Sequence, residues 1–101
     1  MKVYKYSLGE PGPYHYEQGI RLPTGAKPLS VGMQGNELVL WAAVDPDDQF
    51  AWPEVFVIVG TGVPYSQPGW EFQFVGTAHQ EQYVWHVFHK VADVMLDTQA
   101  G

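Results

Sequence analysis

This chain of 101 residues contains no cysteine. It can therefore have no disulfide, no thiolate nucleophile and no zinc site built on cysteine ligands. It also contains no run of about eighteen apolar residues, and its first residues, Met1–Tyr6, lack the apolar stretch of a secretion signal. We therefore expect a cytoplasmic protein that does not contact a membrane.

Basic residues are few, since five lysines and arginines stand against eleven acidic residues and the net charge is −6. The five basic residues are scattered through the sequence: Lys2, Lys5, Arg21, Lys27 and Lys90. Proteins that bind nucleic acids usually carry a clustered basic surface, because their affinity comes from neutralising phosphates. The sequence therefore disfavours direct binding of nucleic acid, and it leaves open docking on a basic partner protein.

Charged residues make up only 16% of the sequence, whereas apolar residues make up 46% and aromatic residues 15%. A chain of this length and composition forms one domain with one hydrophobic core. We expect a single β-rich domain over residues 1–101, with its core at residues 2–89 and a tail at residues 90–101. The apolar excess predicts a homo-oligomer, or a surface for a ligand or partner.

Short apolar segments alternate with turns rich in glycine and proline, which is typical of an all-β antiparallel sandwich or small barrel. We predict about seven short strands, at residues 2–8, 18–22, 28–33, 38–44, 55–60, 71–76 and 82–89. Three of these carry apolar residues on both faces and are predicted to be central strands, namely 38–44, 55–60 and 82–89. The segment Gln34-Gly35-Asn36 is the best hairpin turn. Residues 91–97 could form a short C-terminal helix, or an arm that packs on another subunit.

The segment Gly60-Thr61-Gly62 follows an apolar strand and resembles the start of a phosphate-binding loop. However, the third glycine of the dinucleotide motif is missing, and no Lys-Ser or Lys-Thr pair follows. A turn that closes the strand is therefore the better interpretation.

Three histidines, His79, His86 and His89, lie near one another in the sequence. His86 and His89 are three residues apart, which places them on opposite faces of a strand and disfavours a shared metal ion. We interpret His86 as a buried histidine that donates to a backbone carbonyl, and His89 as a surface residue at the strand end.

The segment Asp45-Pro46-Asp47-Asp48 is a cluster of carboxylates in a predicted turn. An Asx turn accounts for the aspartate at position 45 without a bound metal. No nucleophile motif such as G-x-S-x-G is present, so we assign no catalytic residue, metal site or cofactor.

Four tryptophans are many for so short a chain. Trp41 and Trp85 lie within predicted strands and are expected in the core. Trp52 and Trp70 lie beside prolines in predicted loops. With Tyr14, Tyr16 and Tyr65 they could form an aromatic recess that stacks on a base or binds a partner. Packing of these rings under a loop explains them equally well.

Five segments together are similar to a known family. They are Leu22-Pro23-Thr24-Gly25-Ala26, Leu40-Trp41-Ala42-Ala43-Val44-Asp45-Pro46, Gly60-Thr61-Gly62-Val63-Pro64, Phe74-Val75-Gly76-Thr77 and Val84-Trp85-His86-Val87-Phe88. This pattern, with its L-W-A-x-V-D-P, V-G-T-G and V-W-H-V-F segments, resembles small uncharacterised proteins encoded by bacteriophages and prophages, classed as a domain of unknown function. The resemblance covers the chain from about Tyr4 to Phe88. It implies an accessory protein that acts in the host cytoplasm, and it carries over no catalytic residue.

The function we expect is non-enzymatic binding that counters host defence, either by docking on a host protein or by sequestering a nucleotide-like signal molecule. For sequestration, we expect a pocket at a subunit junction, in which Trp52, Tyr65 or Trp70 stacks on the base. The phosphate would be received by the following residues: Gly60, Thr61 and Gly62, together with Arg21 or Lys27. The alternatives are a virion or assembly component, and a small metal-dependent hydrolase that uses His86, His79 and Asp45.

Overall fold

The computed structural model describes residues 1–47 and 50–93, with the side chains of residues 92 and 93 left out. Within these residues the chain forms seven strands and no helix, so none that could cross a membrane. The strands are β1 (Lys2–Ser7), β2 (His15–Pro23), β3 (Lys27–Gln34), β4 (Glu37–Val44), β5 (Ala51–Gly60), β6 (Trp70–Gln80) and β7 (Tyr83–Asp93). Every strand pair is antiparallel. The prediction of an all-β fold with about seven strands is therefore confirmed.

The strands form two sheets, with the orders β1-β4-β3 and β2-β5-β7-β6. The three strands that carry apolar residues on both faces, β4, β5 and β7, each lie between two neighbours. Their prediction as central strands is confirmed. A central strand must be apolar on any face that is covered, because it leaves little room for a polar side chain to reach water.

The core lies between the two sheets. Leu38 and Leu40 of β4 belong to one buried cluster with Phe56 and Ile58 of β5 and Trp85 of β7, all at most 3% exposed. Burying one such side chain contributes roughly 1.5–3 kcal/mol, so this cluster is a main source of stability. It also determines which residues of β5 and β7 point away from the core.

Several strands are longer than predicted. β5 begins at Ala51, four residues before the predicted start, although it contains Pro53. The proline is tolerated because β5 pairs with β7 only from Val55 onward, so at Pro53 the strand has a partner on one side alone. β2 likewise begins earlier, at His15, and β6 continues to Gln80.

The end of β7 also differs from the prediction. Residues 91–93, expected at the start of a helix or arm, continue the strand, and Ala92 and Asp93 pair with Glu71 and Trp70. This pairing gives the backbone of Ala92 and Asp93 hydrogen-bonding partners on β6. A short helix at this position would be only marginally stable unless it packed against the rest of the protein. The remainder of the tail, residues 94–101, lies outside the described residues.

Two tight turns connect neighbouring strands. Gly35 and Asn36 join β3 to β4, as predicted, but only Gly35 has a positive φ, of 61°. The β6–β7 turn has no glycine and places Glu81 at a φ of 54°. Because a side chain disfavours this region, the sequence contained no signal for that turn.

Candidate functional site

The four-stranded sheet has an outer face, directed away from the core, and the loop at residues 61–69 between β5 and β6 lies over part of it. Between the loop and the sheet is a pocket of about 410 Å³. Small-molecule sites usually occupy about 300–1,000 Å³, so this volume is that of a site for a small ligand.

The floor of the pocket is formed by alternate residues of the two central strands. Phe56 and Ile58 point into the core, so Val57 and Val59 point outward. On β7, Phe88 lies opposite Val57, and the next floor residue, His86, lies opposite Val59. The floor is therefore apolar apart from one imidazole.

The loop starts with a tight turn. The N–H of Val63 donates to the carbonyl of Gly60 at 3.1 Å, and Gly62 has a φ of 82°. This arrangement is that of a β-turn with glycine in its third position. The interpretation of the Gly60-Thr61-Gly62 segment as a turn is confirmed.

The backbone donors of this turn are used within the protein. Gly60 donates its N–H to the carbonyl of Tyr14 at 3.0 Å, and Thr61 donates its N–H to the carbonyl of Val84 at 3.1 Å. With the Val63 bond, three N–H groups that a phosphate-binding loop would direct at an anion are occupied. The turn is suited to holding the loop on the sheet.

His86 is half-buried on the outer face and connects the loop to the sheet. Its Nε2 lies 2.7 Å from Oγ1 of Thr61, and its Nδ1 lies 3.1 Å from Oγ1 of Thr77. Our interpretation of His86 as a core residue bonded to a backbone carbonyl is therefore wrong. The reason is register: His86 pairs with Val59 and Thr77, which share its outward face.

The hydroxyls of Thr61 and Thr77 can each donate or accept a hydrogen bond, so either tautomer of His86 finds a partner at both ring nitrogens. The hydroxyl of Thr61 also lies 3.5 Å from the carbonyl oxygen of Val84. Both ring nitrogens are therefore used by protein groups.

Tyr65 forms the side of the pocket. Its ring meets the ring of Phe72 edge-on at 6.0 Å and that of His15 at 5.0 Å. Its hydroxyl lies 2.9 Å from Oε1 of Gln67 and 3.3 Å from Oε1 of Glu17. Burial raises the pKa of Tyr65 above its usual value, and the charge of Glu17 and its hydrogen bond raise it further.

Glu17 belongs to a charged pair beside the pocket. Its Oε1 lies 3.3 Å from Nζ of Lys90, and that ammonium also lies 4.0 Å from the centre of the Trp70 ring. A cation over an indole ring is attracted by the electrons of the ring face. Lys90 is therefore engaged on two sides by residues of the protein.

The structure brings together four of the eight predicted ligand-binding residues. Gly60, Thr61, Gly62 and Tyr65 all line the pocket. Trp70 does not line it, and its ring contacts the ammonium of Lys90, which pairs with Glu17 beside Tyr65.

The other three predicted residues lie elsewhere: Lys27 is on β3 in the other sheet, and Arg21 and Trp52 are at the end of β2 and the start of β5. Arg21 donates to the carbonyl of Ala51 at 2.8 Å, and Nε1 of Trp52 donates to Oγ1 of Thr24 at 2.7 Å. Both bonds join the end of β2 to the start of β5. Since neither residue lines the pocket, they cannot act with Tyr65 on one ligand bound there.

Sequence reasoning missed the apolar part of the site, which is Val57, Val59, Val63, Phe72 and Phe88. Alternation along a strand separates outward from inward residues, and this signal was available. It could not show that β5 and β7 are neighbours, because strand order depends on long-range pairing.

The other histidine and acidic candidates do not form a site. Among the described residues, no group of three or more histidine, aspartate or glutamate side chains could hold a metal ion. Asp45 accepts a hydrogen bond from the N–H of Asp47 at 3.0 Å, which is the expected Asx turn.

His89 is 13% exposed, lies 2.9 Å from Glu54 and stacks on Phe56, so its prediction as a surface residue is wrong. The strand continues past His89, and its neighbours cover it.

The chain can also be compared with known proteins. No curated protein matches it, and no solved structure matches it. A family model described as a domain of unknown function, DUF7352, matches residues 1–95. Because this match covers nearly the whole chain, the chain belongs to the DUF7352 family of domains of unknown function.

Proposed function

We propose that this chain is a non-enzymatic binding domain, and that the pocket under the 61–69 loop takes a small molecule. The observation that carries the proposal is the composition of its lining. The walls are apolar, and the polar groups are few: Thr61, Ser66, Gln67 and His86. Sites for small ligands typically combine apolar walls with a few polar groups that orient the ligand.

The group of Thr61, His86 and Thr77 has to be weighed against catalysis. A hydroxyl 2.7 Å from an imidazole resembles the nucleophile and base of a hydrolase. In such enzymes a carboxylate orients the imidazole and stabilises its charged form during the reaction. Here Nδ1 contacts Thr77, a neutral hydroxyl, at the position that the carboxylate takes in those enzymes. The arrangement therefore favours a structural hydrogen bond.

This turn is also poorly suited to stabilise the negative charge that develops on a reacting oxygen. An oxyanion hole needs N–H groups directed at the place where charge develops. The N–H groups of Thr61 and Val63 donate to Val84 and Gly60. This supports binding rather than hydrolysis at the pocket.

We propose further that the protein is a phage accessory protein that acts in the host cytoplasm and counters host defence. The support is the resemblance of the five sequence segments to phage and prophage proteins. A pocket on such a protein would sequester a signal molecule of the host. The absence of a lysine or arginine from the described lining favours a signal, or part of one, without a phosphate.

The experiment is native mass spectrometry of the protein purified gently from a bacterial host, compared with its denatured mass. We expect an added mass of small-molecule size that Phe72→Ala removes and Tyr4→Ala retains. Phe72 lines the pocket, whereas Tyr4 is an exposed aromatic residue of β1 in the other sheet. A clean mass would overturn the ligand proposal and favour docking on a host protein. A large symmetric assembly without added mass would overturn it in favour of a virion or assembly component.

The hydrolase alternative is favoured only by the short distance between Thr61 and His86. It is tested with an activated ester such as p-nitrophenyl acetate. We expect no turnover above that of a His86→Gln variant that remains folded. Turnover lost in both His86→Gln and Thr61→Val would show that the pair is catalytic and would overturn the non-enzymatic proposal.

A further inference from the structure

We propose that the pocket selects uncharged aromatic ligands and that Glu17 is the residue that excludes anions. This inference rests on the proposed binding function and adds the chemical class of the ligand. It follows from which charged groups surround the pocket, and from how each of them is already engaged.

Among the described residues, the lining has no lysine or arginine, and its one imidazole, His86, has both ring nitrogens in contact with threonine hydroxyls. An anion moved from water into such surroundings loses its hydration without gaining a permanently charged partner, which is unfavourable. The backbone gives little compensation, because the N–H groups of Gly60, Thr61 and Val63 are occupied.

Lys90 is the cation that contacts Glu17 beside this wall, and it is already paired. Its side chain is 8% exposed, with Nζ held between Glu17 at 3.3 Å and the ring of Trp70 at 4.0 Å. To reach an anion in the pocket, Lys90 would have to give up both contacts. The positive charge of Lys90 is therefore already neutralised by Glu17.

Glu17 lies on the pocket side of this pair. Its carboxylate lies 3.3 Å from the hydroxyl of Tyr65, which lines the pocket. The raised pKa of Tyr65 is consistent with a negative potential here, although burial is its larger cause. An anionic group that enters beside Tyr65 would approach a like charge, which is unfavourable.

The walls favour a flat ring. Tyr65 and Phe72 meet edge-on at 6.0 Å, and Phe88 lies on the floor between Val57 and Phe74 in the register of the sheet. Aromatic side chains bind another ring by stacking or by edge-to-face contact. A planar uncharged ligand can use both geometries here.

Two fluorescent probes test the inference, because they share an anilinonaphthalene framework and differ by one sulfonate. N-phenyl-1-naphthylamine is uncharged, and 8-anilinonaphthalene-1-sulfonate is an anion. We expect the uncharged probe to bind at least about tenfold more tightly, a difference of about 1.4 kcal/mol. Its binding should weaken in Phe72→Ala and stay unchanged in Tyr4→Ala, which places it in the pocket.

The role of Glu17 is tested with Glu17→Gln, which keeps the size of the side chain and removes its charge. Glu17 is 42% exposed, so this variant is expected to fold. Binding of the anionic probe should rise severalfold, while binding of the uncharged probe stays the same. Glu37→Gln, an exposed change of the same charge on the other sheet, is the matched control and should alter neither.

The outcomes separate the two proposals. Binding of the anionic probe as tightly as the uncharged one would overturn the selectivity, and no effect of Glu17→Gln would overturn the role of Glu17. Either result leaves the pocket as a binding site. If neither probe binds in a way that depends on Phe72, the proposed function itself fails.

Discussion

Thr61 and His86 are 25 residues apart in sequence, yet Oγ1 of Thr61 lies 2.7 Å from Nε2 of His86. This bond attaches the start of the 61–69 loop to the centre of the four-stranded sheet. The loop in turn carries Val63 and Tyr65 over the floor of the pocket. One side-chain hydrogen bond, with the backbone bonds of the turn, therefore helps to determine the shape of the site.

The first prediction concerns this bond. Thr61→Val keeps the shape of the side chain and removes its hydroxyl, so His86 loses one partner. A hydrogen bond of this kind contributes about 1 kcal/mol, and we expect the free energy of unfolding in urea to fall by that amount. Thr61→Ser retains the hydroxyl and should stay close to wild type. Equal stability of the valine and serine variants would show that the bond contributes nothing.

The second prediction concerns pH. Burial raises the pKa of Tyr16 from its ordinary value of 10.0 to about 12. The folded protein therefore retains this proton between about pH 10 and about pH 12, whereas the unfolded chain releases it. The stability contributed by the protonated phenol is fully present below pH 10 and is lost as the pH rises through this window. We expect the free energy of unfolding to fall over that range.

Tyr16→Phe isolates this contribution. The variant loses the bond from the Tyr16 hydroxyl to the carbonyl of Leu8, at 2.9 Å, and should lose about 1 kcal/mol of stability at neutral pH. Its stability should then depend less steeply on pH above about pH 10 than that of the wild type. An identical slope in the two proteins would show that Tyr16 titrates normally in the fold.

The third prediction concerns the contact between the two sheets at Gly76. A Cβ at Gly76 would lie 3.0 Å from Cγ2 of Val31 and 3.4 Å from its backbone nitrogen. Because β3 would have to move away from β6, Gly76→Ala should lower the free energy of unfolding by about 1–3 kcal/mol.

Gly19 provides the matched control for that change. It also lies within a strand, but a Cβ there would approach nothing closer than the carbonyl oxygen of Glu54 at 4.0 Å. Gly19→Ala should therefore leave the stability unchanged or raise it by about 0.4–1 kcal/mol through the unfolded state. Urea unfolding of both variants, measured side by side, decides the point. Equal losses at Gly19 and Gly76 would indicate a general effect of glycine in strands.

Much of the fold could be predicted because local patterns determine it. The apolar residues on both faces of β4, β5 and β7 identify central strands without knowledge of their neighbours. The ends of the strands were harder to predict. Proline disfavours a strand, and β5 can contain Pro53 because β7 pairs with β5 only from Val55 onward. Glu81 adopts a positive φ that its residue type does not indicate.

The site was only partly predictable, because local patterns do not show which strands are neighbours. Gly60, Thr61 and Tyr65 stand out in the sequence as a turn followed by an aromatic ring, and they do line one pocket. Trp52 stands out equally, yet the pairing of β2 with β5 places it at the other end of its strand, bonded to Thr24. His86 was misassigned because alternation shows which residues share a face, but not which face meets the core.

The sequence by itself determined the all-β class, the central strands and the turn at Gly60-Thr61-Gly62, because alternation and turn chemistry act over a few residues. Only the tertiary structure decided the strand order, the outward direction of Val57 and Phe88, and the capture of Lys90 by Glu17 and Trp70. These depend on pairings between residues far apart in the chain. Such pairings are selected by the packing of the whole core, and no local pattern records them.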